Sequence, residues 1–205
     1  MIKIFVLPSI MILCGVLHHN LRKKNPGEET VTSFLARESA ANGTRRKDIS
    51  DLPYISVPFD TLPLDITLND EKKQSQIANY KTVITDLSQK KMLNLIGVNN
   101  TELKERFGPA NLEALTICDQ NYSNYIRTLH LFAEAIYDEY PEDSVKILEY
   151  CISIGTDISK TYELLGRHYL MNRQTDRFLS LYEKIPDTAS ISGKIILNKL
   201  EKIKS

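Results

Sequence analysis

This chain of 205 residues has no tryptophan, only three cysteines, and no net charge, with 26 Lys and Arg against 26 Asp and Glu. Cys14, Cys118 and Cys151 are odd in number and form no C-x-x-C pair. That excludes a visible disulfide framework and fits a reducing compartment. Cys118 and Cys151 lie among apolar neighbours at helical spacing, as core thiols do. Catalytic and cofactor signatures are missing too: there is no G-x-G-x-x-G or Walker loop, no H-E-x-x-H and no G-x-S-x-G. The sequence therefore predicts no enzyme, no cofactor, no metal site and no catalytic residue. His130 and His168 stand far apart in sequence without ligand companions, and read as helix-surface residues. Asp119, Gln120 and Asn121 form a polar cluster that reads as the opening of a helix, where N-capping is the usual role of such side chains.

Long apolar runs are also scarce. The uncharged stretch Ile4–Leu17 has 14 residues, short of the roughly 17 to 25 that a spanning helix usually needs. Its flanks decide between readings. A cleaved signal peptide carries its positive charge before the apolar run, but here Lys3 stands alone before it and Arg22, Lys23 and Lys24 follow. A lipoprotein signal wants small residues ahead of Cys14, where Ile12 and Leu13 are bulky. A membrane anchor over residues 1–21 fits if Lys3 snorkels and His18, His19 and Asn20 lie among the headgroups. The basic cluster after the span then places the rest of the chain in the cytoplasm by the positive-inside rule. A single-pass protein of the cell membrane is the expectation, with the sequons at Asn42, Asn99 and Asn121 left unmodified.

Charge is unevenly spread. Residues 1–50 hold eight Lys and Arg against four Asp and Glu, whereas residues 51–205 hold eighteen against twenty-two. An acidic body lacks the concentrated basic face that phosphate binding requires, so nucleic acid is not an expected partner. Residues 22–68 read as a basic stalk and an extended arm. A short helical pattern from about Thr32 to Ala41 is stopped by Asn42-Gly43, and Arg45, Arg46 and Lys47 are either solvated or touch anionic headgroups. Prolines at 53, 58 and 63 then exclude a helix or a central strand. The arm should lie along the body and tuck in Tyr54, Ile55, Val57, Phe59, Leu62 and Leu64.

From Asn69 the pattern is helical, so the fold class is all-α. Ile77, Tyr80, Ile84, Leu87 and Leu93 mark one helix ended near Gly97, and Gly108-Pro109 breaks the next stretch, making residues 69–121 the N-terminal part of the body. Residues 122–205 are more regular. Leu129, Phe132, Ala133, Ile136, Val145 and Ile152, moved forward by 33 positions, fall on Tyr162, Leu165, Gly166, Tyr169, Phe178 and Ile185. A period of that length with helix, turn and helix predicts a stack of helical hairpins. A generic helical bundle shares the fold class but presents no concave groove.

Tyr162, Leu165, Gly166 and Tyr169, followed by Phe178 and Tyr182, resemble the W-x2-L-G-x2-Y and A-x3-F pattern of the tetratricopeptide repeat. The resemblance implies about two repeats and explains a glycine in a helix: the small residue admits a tightly packed neighbour, with Ala133 its equivalent one repeat earlier. Phe178 departs from the usual alanine, and tyrosine replaces tryptophan. In that family, exposed residues of each first helix meet peptide ligands. Carried over, the partner-binding candidates are Arg127, His130, Glu134 and Tyr137, then Lys160, Glu163 and Arg167. The last helix, with Ile191, Ile195, Ile196, Leu200 and Ile203 on one side, should cap the stack. The stretches "ESAANGTRRKDIS", "LNLIGVNNTELKERFGPANL" and "DQNY" are also similar to those of a group of single-pass bacterial membrane proteins with an N-terminal anchor and a helical, repeat-like body.

Two functions fit this reading. One is a membrane-tethered adaptor that grips a protein or peptide partner in a repeat groove. The other is a structural subunit of a larger membrane assembly, with no exchangeable ligand, which should expose a broad apolar patch.

Overall fold

The computed structural model describes residues 30–204, so the anchor expected at 1–21 lies outside the described residues. Among the described residues there are eight α-helices and no strand, and no helix is long and apolar enough to cross a membrane.

Helix α1, Val31–Asn42, starts where the Thr30 hydroxyl accepts the Ser33 amide and stops at Gly43, as the sequence pattern predicted. It does not stand free as a stalk. Arg37 makes a two-pronged pair with Glu105 at 2.6 and 2.7 Å, Glu38 meets Lys104 and Thr101, and Ala41 is buried. Glu105 and the other partners belong to α3, Asn100–Phe107, which opens with a full capping box: Asn99 accepts the Glu102 amide and Glu102 accepts the Asn99 amide. Gly108 ends α3 at φ 85°, and a side chain there would lie 2.8 Å from the Arg45 carbonyl oxygen, so the arm backbone passes too close for any residue but glycine. Asn111 then clamps the two together. It is buried, donates at 2.7 Å to both the Lys47 and Phe107 carbonyls, and accepts from Arg46.

The arm, residues 44–70, contains no helix. Leu62, Leu64 and Leu68 enter the main core, Ile55 and Val57 pack at its margin, and the Ile55 amide bonds the Met92 carbonyl at 2.8 Å. Phe59 is the exception to the expected tucking and stays exposed.

Helix α2, Glu71–Ser88, is capped by Asp70 and buries Ile77, Ile84 and Leu87. It ends well before Gly97, where the sequence pattern placed its stop. Leu93 continues the apolar spacing because it fills a second, smaller core with Leu103, Leu115 and Cys118, from a non-helical segment whose Leu93 amide bonds the Cys118 carbonyl. The longest helix, α4, runs over Leu112–Ile136, so the expected boundary at 121/122 falls inside it. Asp119 and Asn121 are therefore not caps. Asp119 accepts the Leu95 amide and Asn121 donates to the Lys91 carbonyl, holding the 89–99 segment against α4.

Four helices complete the body: α5, Pro141–Ser153; α6, Ser159–Met171; α7, Thr175–Glu183; and α8, Ile191–Lys204. Helix α4 packs between α2 and α5, and α6 packs against α5, α7 and α8. All twelve residues related by the 33-position shift are buried. The one glycine among them, Gly166, would carry a Cβ 2.6 Å from the Ile203 Cδ1, 3.2 Å from the Phe178 ring and 3.3 Å from Leu200. Two neighbours use that space, α7 and more tightly α8. Helix α8 covers α6 with Ile196 and Leu200, flanked by Leu197 and Ile203. Ile191 and Ile195, expected on the same side, are 81% and 45% exposed, because the buried stripe runs about one position later than the count of isoleucines suggested.

Candidate functional site

The candidate residues lie on two helices at spacings of three and four, which places each set on one helix face. Arg127, His130 and Glu134 are on α4, with Tyr137 just beyond its end; Lys160, Glu163 and Arg167 are on α6. The structure brings His130, Glu134, Lys160, Glu163 and Arg167 around one cleft of about 190 Å3, floored in part by Leu164. Arg127 is exposed and does not line it. Tyr137 also stays outside. It turns toward α6, where its hydroxyl meets His168 Nδ1 at 3.2 Å and the two rings stand edge to face at 6.0 Å.

His130 and His168 are not the helix-surface residues that the sequence suggested, being 4% and 3% exposed. The correction has one cause, which the apolar period could not reveal. Each histidine spans the α4–α6 junction to a hydroxyl 31 positions away, His130 Nδ1 to Thr161 Oγ1 at 3.1 Å and His168 Nδ1 to Tyr137 Oη at 3.2 Å. Two equal separations across the same pair of helices make a polar ladder beside the apolar core. His168 has a further contact, Asn172, on its other nitrogen at 3.3 Å. His130 Nε2 has no hydrogen bond, and the nearest opposite charge is Glu134, at 3.9 Å. A buried polar group left unpaired costs on the order of 1 to 3 kcal/mol, so this nitrogen marks the cleft. Burial holds the His130 imidazole below its ordinary pKa, with Lys160 and Lys199 adding to the effect and Glu134 opposing it. The ring is neutral at pH 7.

Charge in the cleft is partly spoken for. Glu163 accepts from Lys199 of α8 at 2.7 Å and from Arg167 at 2.9 Å, and the first of these contacts contributes most to holding its carboxyl below the usual range. Lys160 has no ion-pair partner among the described residues, and Glu134 faces only the neutral histidine. Arg167 also borders a second, more apolar hollow with Leu170, Met171, Lys202 and Ile203. Sequence reasoning missed Leu164, Thr161 and Lys199. Leu164 was detectable as the apolar residue beside Glu163 on the same helix face, whereas Lys199 arrives from a helix whose docking angle no local pattern encodes.

The cleft offers hydrogen-bond donors, one free carboxylate and an apolar wall. No group of three His, Cys, Asp or Glu side chains suited to a metal occurs among the described residues. Compared with known proteins, the chain matches no family model, no curated protein and no solved structure, so neither resemblance drawn from its residues gains support there.

Proposed function

We propose that this chain is a membrane-tethered protein-interaction module, whose α4–α6 cleft grips a peptide segment of a partner on the cytoplasmic side of the cell membrane. The observation that supports it is the convergence of five polar residues from two helices on one cleft, with the buried His130 Nε2 unbonded inside it. The pairing of α4 with α5 and α6 with α7 is proposed to be tetratricopeptide-like, the cleft lying between the first helices of two repeats.

The second reading, a structural subunit buried in a larger membrane assembly, draws on a different surface. Val31, Phe34 and Leu35 occupy one face of α1 and are 75%, 43% and 59% exposed. Capture of partners by the full chain from solubilised membranes separates the two. A Lys160→Glu/Arg167→Glu double variant should lose its partner, and Phe34→Asp/Leu35→Asp should keep it. The reverse result supports the subunit. Orientation is tested by a membrane-impermeant thiol reagent on Ser205→Cys, which should label only after permeabilisation.

A further inference from the structure

The cleft between α4 and α6 has a size and a charge pattern that select among ligands. At about 190 Å3 it is smaller than the roughly 300 to 1,000 Å3 typical of small-molecule sites, and holds one side chain. On one wall stands the His130 imidazole, 4% exposed, with Nδ1 engaged by Thr161 and Nε2 unbonded. The Glu134 carboxylate, 3.9 Å from Nε2, favours the tautomer with the proton on that nitrogen, and the Thr161 hydroxyl then donates to Nδ1. His130 thus presents an N–H donor to the cleft. Opposite are Lys160, unpaired among the described residues, and Arg167, whose charge is engaged by Glu163.

We propose that the cleft receives the carboxamide of an asparagine or glutamine side chain presented by the bound peptide, an inference that rests on the cleft being a peptide site. A carboxylate there would lie against Glu134, and an ammonium or guanidinium would lie against Lys160 and Arg167. A carboxamide meets neither conflict. Its oxygen accepts from His130 Nε2 and from the Lys160 ammonium, its amino group donates to Glu134, and its methylene stem packs on Leu164.

The test follows the imidazole nitrogens of the 15N-labelled, detergent-solubilised full chain by NMR while three probes are added. These are N-acetylglutamine methylamide, N-acetylglutamate methylamide and N-acetyllysine methylamide. The His130 signals, assigned against His130→Gln, should move saturably with the glutamine probe and at least about tenfold more weakly with the other two, the difference expected from one hydrogen bond to a charged group. Glu134→Gln alters an exposed residue and should weaken the glutamine probe by about tenfold. Equal or tighter binding of the glutamate or lysine probe overturns the assignment, as does a His130 signal that none of the three moves. If the cleft charge reversals still abolish partner capture in that case, the carboxamide assignment fails alone; if capture also survives them, the peptide site fails with it.

Discussion

The two ends of this molecule are held together by different chemistry. The helical pairs from α4 to α8 share a continuous apolar core in which Tyr122, Tyr125, Tyr162, Phe132 and Phe178 are almost wholly buried. Around α1, α3 and the start of the arm the apolar cluster is small, only Leu93, Leu103, Leu115 and Cys118 being buried, and polar side chains do the fastening. Asn111 binds two carbonyls, and Arg37 and Glu38 tie α1 to α3. Where little apolar surface is available, position has to be specified by hydrogen bonds with fixed partners. Such bonds contribute less each, but they determine which backbone lies beside which.

The largest expected effect belongs to the apolar end. Phe132→Ala should destabilise the fold by about 3 to 5 kcal/mol, because the cavity it leaves lies at the centre of the main core, and chemical denaturation should show it across the whole transition. At the polar end, Asn111→Ala removes one side chain from three partners and should cost about 2 kcal/mol, with hydrogen exchange rising first in residues 44–54 and α3. If Asn111→Ala loosened α6 and α8 equally, the two ends would not be separate in their fastening.

His130 is the polar group inside the apolar end, and pH tests it. Because its pKa is lowered on folding, the unfolded chain takes up the proton first as pH falls. Its contribution to stability is therefore complete above the ordinary histidine value near 6.5 and declines below it. Denaturation midpoints measured from pH 8 down to pH 5 should fall for the native chain, and the fall should be shallower in His130→Phe.

Much of this arrangement was legible in the sequence, and the failures share a cause. The all-α class, the limits of α1, the buried stripe of the two helical pairs and the tight site at Gly166 follow from spacing and caps, which are local. The long α4 was not legible, since Asp119 and Asn121 are read as caps unless the segment that they hold is known. Nor was the burial of His130 and His168, whose hydroxyl partners stand on another helix. Five of the seven candidate residues share the cleft because face spacing is local; Tyr137 leaves it because a histidine across the junction offers a better partner.

The central claim is that α4 and α6, and not the apolar face of α1, meet the partner. Its most direct test places a photo-crosslinking amino acid at Lys160 in one full-length chain and at Phe34 in another, in living cells. The account predicts a discrete protein adduct from position 160 and none from position 34. An adduct from position 34 alone would contradict it.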